Sequence, residues 1–417
     1  MLLAFVQVSV AGADELSDIK EQLQETQKRL AQLEEQQKQQ SRQMEKMTSE
    51  TIKNEQADVL PENLKWLEKI KISGDFRYRH DHTDLQAESA GRAEWQNGEE
   101  RHRIRARLMF EAMINDDWDV AFRIASGSSK APNSTNQDLE DAFSSKDIWL
   151  DLAYFDWHPE AKEGLNVFGG KMHNPFYRVN KAEHIWDTDL NPEGIAAQYM
   201  APLSDRDQLF VAGGGFWVDE SSSDVDTSLW GVQTYWKHTI GNPDYVLAGA
   251  SYYDYGNLQG QEALDTWSTK KLFYGNTSSG GVYVSDYDIF EAFGEYGFKF
   301  AGMPLAFFGS WVQNIDASTD EDTGWLVGGK LNKAKDPGSW ELGYDYRDTE
   351  ADAVVGGFIE SSFVAGSTDS RGHRFVFKYQ INKATQAALT YCHAENAGSS
   401  SVDLDYRRLL ADLVFKF

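Results

Sequence analysis

The chain has one cysteine, Cys392, among its 417 residues, so it cannot form an internal disulfide and has no thiol pair for redox chemistry. Beyond the first dozen residues, no apolar run approaches the ~20 residues that a membrane-spanning helix requires. Basic residues are also scarce, because 40 Lys and Arg stand against 66 Asp and Glu, which gives a net charge of −26. That balance excludes the basic footprint of a nucleic-acid-binding protein. Because a long apolar run is missing, the chain could cross a membrane only with strands.

Motifs for catalysis, cofactors and metals are missing as well. The histidines, among them His173 and His184, do not follow the spacing of metal ligands. The run of three glycines at 213–215 is not followed by a helix, so it indicates a bend in a strand rather than a phosphate cradle. No Ser/His pair is placed as a barrel phospholipase would require. We therefore expect no enzymatic activity, no metal and no cofactor.

Residues 1–13 differ from everything that follows them. An apolar run ends in a small-x-small sequence at Ala11, Gly12 and Ala13. This pattern predicts a secretory signal peptide cleaved after residue 13. A buried N-terminal strand is the alternative interpretation.

The segment 14–57 has no aromatic residue, glycine or proline and is dominated by Gln, Glu and Lys. Its apolar residues recur at three- and four-residue spacing, and they are Leu16, Ile19, Leu23, Leu30, Leu33, Met44 and Met47. Such heptads with charged flanks predict a coiled coil, hence self-association, although Gln-rich disorder is the alternative. Residues 58–70, which include Pro61, are predicted to be a short linker.

Residues 71–417 have a sequence pattern that is typical of β-strands. About sixteen runs rich in Tyr, Trp, Phe and Val are separated by Gly, Asn, Asp, Ser and Pro. The connections between them alternate between short turns and long polar loops. An even strand number with this alternation predicts an all-β fold: a transmembrane antiparallel β-barrel with both termini in the periplasm.

The predicted strands have one apolar and one charged face. In the last strand, Leu409, Leu413 and Phe415 alternate with Arg408 and Asp412. Charges on the second face need water, which the core of a soluble sandwich does not supply but a water-filled lumen does. We therefore expect the apolar faces to meet lipid and the charged faces to line a pore.

The charges predicted to line the pore are unevenly distributed along the chain. The basic set is Arg77, Arg79, Arg103, Arg105, Arg107, Arg123 and Lys171. The acidic set comes from strands far around the wall and is Glu291, Glu295, Glu341 and Asp345. An arginine on the lipid face would cost about 2–4 kcal/mol near the midplane, which favours the inward assignment. A basic wall facing an acidic wall would create a transverse field, whereas ordinary solvated lumen charges are the alternative.

The third long loop, residues 174–193, combines charge with apolar residues. Its apolar anchors are Phe176, Ile185 and Trp186, and such a loop can pack inside a barrel and narrow it. The charged residues that would line this constriction are Arg178, Lys181, His184, Asp187 and Asp189. An outward surface loop is the alternative.

The segments 168–176 (FGGKMHNPF) and 187–194 (DTDLNPEG), with the terminal Phe417, resemble the bacterial outer-membrane putative porin family, which is related to the phosphate-selective porins. The resemblance covers nearly the whole chain. It implies a trimeric channel with the third loop folded into the pore. The lysine-rich phosphate-binding loop of the best-known members is not evident, since this loop offers only Arg178 and Lys181. A general or weakly selective pore is therefore expected.

Together these features predict a homotrimeric porin in the outer membrane of a Gram-negative bacterium, with the coiled coil in the periplasm. Small hydrophilic solutes or ions would diffuse passively through its arginine-lined pore. Lipid and lipopolysaccharide are the expected surroundings. The alternative is an envelope-structural protein whose coiled coil tethers the outer membrane to peptidoglycan.

Overall fold

The computed structural model describes residues 62–87, 98–128, 131–220, 225–264, 272–395 and 404–417. The chain divides into two units, residues 1–68 and residues 69–417. The predicted signal peptide and coiled coil lie outside the described residues. Within the predicted linker, Glu62–Lys69 forms a 3-10 helix. No helix among the described residues is long and apolar enough to cross a membrane.

The second unit is an antiparallel barrel built, within the described residues, from sixteen strands of 7 to 18 residues. In chain order, β1 to β16 are Ile70–Ala87, Glu99–Asn115, Trp118–Ser126, Ile148–Trp157, Leu165–Lys171, Glu193–Pro202, Asp207–Asp219, Thr227–Thr239, Tyr245–Gly256, Tyr287–Phe300, Met303–Asn314, Thr323–Asn332, Trp340–Thr349, Ser370–Gln380, Thr385–Glu395 and Leu404–Lys416. Short pairings also occur at Gln137–Asp138, Ser278–Ser279 and Val282–Tyr283. Three further 3-10 turns lie at Glu160–Lys162, Val179–Lys181 and Val364–Gly366.

Each strand pairs with its neighbour in the sequence, and β1 pairs with β16 to close the sheet. The connections at one end are short, such as 116–117 and 301–302, whereas those at the other end include 172–192, 257–286 and 350–369. We call these the turn end and the loop end. The predicted barrel of about sixteen strands with alternating connections is confirmed.

The first two strands extend further than the sequence indicates. The sequence pattern predicts a polar loop over residues 82–100, but its residues His82, Asp84 and Glu100 lie within the ladders of β1 with β2 and β16. The pairing of β1 with β16 continues to Ala87. Hydrogen bonds to neighbours on both sides hold this polar segment in the sheet, so local composition was a poor guide to the strand ends.

Strand alternation sorts apolar and polar side chains as expected. On β1, Phe76 and Tyr78 are exposed on the outer face, whereas Arg77 and Arg79 point to the other face. On β16, Leu409, Leu413 and Phe415 are likewise exposed. The exposed apolar surface is the lipid-facing surface that a transmembrane barrel requires.

The interior of the barrel is partly filled by its own loops. Residues 172–192 contribute Phe176, Val179 and Trp186 to the main buried apolar cluster. Residues 350–369 contribute Val354 and Ile359 to the same cluster. Apolar loop residues are therefore buried against the inner wall of the barrel, where they narrow the space left for water.

Candidate functional site

The arginines of the first three strands lie on the inner face and form ion pairs along the wall. We call Arg77, Arg79, Arg103, Arg105, Arg107 and Arg123 the arginine wall. Arg105 and Arg107 share Asp75 of β1, each at 2.7 Å. Arg79 binds Asp412 of β16 at 2.6 Å.

The remaining arginines of the wall also have acidic or polar partners. Arg123 binds Asp151 of β4 at 2.5 Å, and Arg77 donates to the side-chain oxygen of Asn136 at 2.5 Å. Arg103 pairs with Asp138 and lies 3.5 Å from Asp81.

Asp81 is fully buried and organises the loop end of this wall. Arg408 of β16 binds it at 2.6 Å and Arg101 binds it at 3.0 Å, in addition to the contact with Arg103. The prediction did not include these carboxylates. They place charges of both signs on one side of the barrel, which differs from the expected separation into a basic wall and an acidic wall.

The third long loop crosses the barrel interior and is held at both sides. On one side Asp189 accepts hydrogen bonds from Arg107 at 3.1 Å and from the hydroxyl of Thr135 at 3.0 Å. Burial opposes the ionisation of Asp189, but the neighbouring arginines together outweigh it and lower the pKa of Asp189 to about 2. Asp189 is therefore ionised and ties the loop to the arginine wall.

On the far side His184 is buried between two hydroxyl groups. Its Nδ1 lies 3.3 Å from Ser310 of β11, and its Nε2 lies 3.3 Å from Thr349 of β13. Burial, followed by the positive charge of Arg347, lowers the pKa of His184 to about 3. The imidazole is therefore neutral at physiological pH, and in that form one ring nitrogen donates to a hydroxyl while the other accepts from one.

Asp187, Arg178 and Lys181 have different roles in this loop. Asp187 is buried and accepts a hydrogen bond from the backbone amide of Ser361 at 2.7 Å, and burial raises its pKa. Arg178 donates to Thr188 at 2.8 Å, within the loop itself. Lys181 lines a cavity at the turn end of the barrel. Of the five residues predicted to line the constriction, Lys181 is thus the one that lines this cavity.

A second loop, residues 350–369, also folds inward, and the sequence interpretation missed it. Its Glu360 is buried and accepts hydrogen bonds from Arg347 and Arg374, both at 2.7 Å. The backbone of Phe358 accepts a hydrogen bond from the amide of Asp187, which joins the two inward loops. The sequence signal for this loop is its run of apolar residues between 353 and 364, because apolar residues in a long loop indicate that the loop packs inside the barrel, as at 174–193.

The predicted acidic residues of the far wall face inward but are not a set of free charges. Asp345 binds Arg347 at 2.8 Å and Arg374 at 2.7 Å, and Glu341 binds Lys378 at 2.9 Å.

The other two far-wall carboxylates interact with neutral donors. Glu291 accepts hydrogen bonds from Ser251 at 2.8 Å and from Ser310 at 3.0 Å. Glu295 accepts from the hydroxyls of Tyr177 at 2.5 Å and Tyr245 at 2.8 Å. Both carboxylates hold parts of the wall and loop together.

Lys171 does not join either wall. At the end of β5 it binds Glu193 at 2.8 Å and the carbonyl oxygen of Asn191 at 3.1 Å. The side chain of Glu193 is 62 % exposed, so this pair lies at the surface where the third loop begins and ends.

The arrangement as a whole is a closed barrel with a charged, hydrogen-bonded interior and two loops across it. Such an interior offers water and polar solutes a path while the apolar outer face excludes them. Among the described residues, no group of three or more His, Cys, Asp and Glu side chains is placed to hold a metal ion.

The fold is similar to those of solved bacterial porin structures. A high-pH structure of Pseudomonas putida OprB aligns with a TM-score of 0.56 and 11 % identity, over 85 % of this chain and 96 % of that chain. Salmonella typhi OmpF, in a complex with daunomycin, aligns with a TM-score of 0.50 and 10 % identity, over 84 % of this chain and 97 % of that chain. No curated protein sequence matches.

The sequence profile of one family, described as "Putative porin", matches residues 87–280 and 294–417. The two matched segments include most of the barrel and both inward loops. The chain therefore belongs to the putative porin family.

Proposed function

We propose that this protein lets small hydrophilic solutes and ions diffuse passively across the outer membrane of a Gram-negative bacterium. The observation that carries the proposal is the closed barrel with an apolar outer face and a charged inner face, narrowed by residues 172–192. Diffusion through such a pore needs no catalytic group, and size and wall charge determine what passes.

The residues that would line the path are those of the arginine wall and of the far wall, with the third loop as the constriction. Because most of these charges are already paired, we expect the walls to act mainly as a polar, hydrated lining. A wall whose charges are mostly paired offers a passing ion dipoles more than net charge, so it favours a weakly selective pore. Phosphate selectivity is not part of the proposal, because residues 174–193 contain only one arginine and one lysine, Arg178 and Lys181.

Two further parts of the proposal rest on the sequence resemblance. They are the homotrimer and the periplasmic position of the coiled coil at 14–57. The tethering hypothesis depends on the same segment, and no observation on the barrel favours it over transport. The direct test of the trimer is to cross-link the full chain in outer membranes and to measure the mass of the cross-linked product.

The primary experiment is conductance of the purified, folded protein in a planar bilayer, combined with the reversal potential under a KCl gradient. We expect stable stepwise openings and a modest reversal potential. Heat-unfolded protein from the same preparation is the control. A barrel that is folded by its gel mobility but opens no channels would overturn the proposal.

The constriction is tested separately through its buried anchor Trp186, whose ring packs edge-on against Tyr253 at 5.2 Å. Replacing a buried aromatic residue by alanine costs about 3–5 kcal/mol, which would release the loop more readily than the barrel. We expect Trp186→Ala to increase the conductance and its noise. Trp217→Ala, at a side chain that is 68 % exposed, is the matched control and should behave like the wild type. Unchanged conductance in both variants would contradict the constriction.

A further inference from the structure

A cavity of about 670 Å³ lies inside the turn end of the barrel, beneath the third loop. Its lining includes five lysines, which are Lys181, Lys237, Lys330, Lys333 and Lys378. It also includes three carboxylates, which are Asp244, Glu295 and Glu341. We call this cavity the lysine vestibule. Its volume is in the range of about 300–1,000 Å³ that is typical of small-molecule sites.

The carboxylates of the lysine vestibule do not neutralise its lysines. Glu295 is used by the two tyrosine hydroxyls and by the backbone amide of Asn180. Asp244 accepts the backbone amide of Lys299 at 3.0 Å. Glu341 alone forms an ion pair with a vestibule lysine, Lys378.

Four ammonium groups therefore have no carboxylate partner among the described residues. Lys330 donates to the carbonyl oxygen of Asn180 at 2.5 Å, and Lys237 lies 5.0 Å from the centre of the Tyr245 ring. Lys181 and Lys333 form no ion pair within the described part of the chain. An ammonium group is a point charge with three donors on a flexible stem, so Lys181, Lys237 and Lys333 can each turn toward an anion.

The vestibule also has an apolar side. Pro304 and Ala306 line it together with the ring of Tyr245. A solute that carries a carboxylate on an apolar body can place its charge among the lysines and its body against these side chains. An inorganic anion would use only the first of the two contacts.

We propose that the lysine vestibule is a binding station for small organic carboxylates on their way through the pore. The proposal rests on the proposed function for its supply of solute, and it adds the solute class and the place where it pauses. Lys181, Lys237 and Lys333 attract the carboxylate, while the apolar side selects against strongly hydrated anions.

The experiment uses benzoate as the probe. Calorimetric titration into the full-length protein in detergent measures binding, and single-channel recording measures interruption of the KCl current by benzoate added at the turn end. The test variant is Lys181→Gln/Lys237→Gln/Lys333→Gln. The matched control is Lys162→Gln, whose ammonium group lies over Tyr199, away from the vestibule.

We expect benzoate to bind and to interrupt the current in the wild type and in Lys162→Gln, with an affinity at least tenfold lower in the triple variant. Uncharged benzamide should have no effect, and inorganic phosphate should act only at higher concentrations. Equal benzoate affinity in the triple variant, or tighter binding of phosphate than of benzoate, would overturn the vestibule proposal. Open channels that do not bind benzoate would overturn the vestibule proposal and leave the transport function intact. Benzoate binding by a protein that opens no channels would overturn the transport function and support only the binding of carboxylates in the vestibule.

Discussion

The arginine wall and the lysine vestibule are both rich in basic residues, yet they present different charges to a solute. In the wall, Arg105 and Arg107 share Asp75, and Arg79 binds Asp412. In the vestibule, Lys378 is the lysine with an ion pair among the described residues, and the other four have none. The number of basic side chains therefore says little about the charge that a solute meets.

This difference follows from how each region is built. The arginines occupy neighbouring strands every second residue, so they would repel one another unless carboxylates were placed between them. Planar guanidinium groups suit such pairing because one arginine can bridge two carboxylates. The lysines come from separate strands and a loop around an open cavity, where water screens them. The ion pairs of the arginine wall thus stabilise the barrel, whereas the lysines of the vestibule are available to interact with solute.

The largest expected effect is the loss of stability when an arginine of the wall is removed. Arg107 bridges Asp75 at 2.7 Å and Asp189 at 3.1 Å. Arg107→Met removes one partner from the buried carboxylate of Asp189 and from the partly buried carboxylate of Asp75, while Arg105 remains near both. We therefore expect the barrel to lose about 3 kcal/mol of unfolding free energy, the lower end of the cost of breaking a buried ion pair. Urea titration followed by gel mobility measures this. A loss of unfolding free energy as small as that of a surface substitution would show that the ion pairs of the arginine wall do not stabilise the barrel.

Acidification should weaken the attachment of the third loop before it affects the wall. The pKa of His184 is lowered from 6.5 to about 3, so the stability that this neutral histidine contributes is complete above pH 6.5. It is lost as the pH falls from 6.5 toward 3, by at most about 1.4 kcal/mol per pH unit. The contribution of ionised Asp189 is lost only between its ordinary pKa of 3.8 and about 2.

The loss of the His184 contribution is tested by measuring how fast a protease cleaves the third loop at pH 7.5 and at pH 5. Asp187 has a raised pKa and therefore contributes a slope of the opposite sign, so the informative variant changes His184 alone. We expect His184→Gln, which keeps the hydrogen-bonding capacity without titrating, to remove the increase in cleavage at pH 5. The same pH dependence in the variant would rule out His184 as its source.

Ion selectivity should respond more to the lysines than to the arginines. An unpaired charge about 4 Å from the path changes the energy of a passing ion by about 1 kcal/mol in water, roughly fivefold in occupancy. We expect Lys181→Gln/Lys237→Gln to move the reversal potential toward cation selectivity by more than Arg103→Gln/Arg105→Gln does. The opposite ranking, in arginine variants that remain folded, would reverse the comparison.

The smallest expected effect is on stability in the vestibule. Lys333 is exposed and forms no ion pair within the described residues. We expect Lys333→Gln to change the unfolding free energy by less than about 0.5 kcal/mol in the same urea titration used for Arg107→Met. A loss comparable to that of Arg107→Met would mean that the vestibule lysines are structural.

Much of the barrel could be predicted from the sequence because its physical constraints are local. Alternation of Leu409, Leu413 and Phe415 with Arg408 and Asp412 requires lipid on one side and water on the other. Turn residues and loop lengths fix the connections. The ends of β1 and β2 differ from the prediction, because hydrogen bonds to neighbouring strands outweigh the polar composition of His82, Asp84 and Glu100.

The partners of the charges depended on the register between strands distant in sequence. Arg79 meets Asp412 because β1 pairs with β16, 333 residues later in the chain. His184 reaches Thr349 because the third loop crosses the interior to β13.

The sequence by itself determined that this chain forms a barrel with an apolar outer face and a charged inner face, because a two-residue period is written in consecutive residues. Only the tertiary structure decided which of the inner charges are neutralised, since closure of the sheet and the inward loops bring the carboxylates to the arginines. The same closure left the lysines of the vestibule around open space, where no carboxylate reaches Lys181 or Lys333 within the described residues.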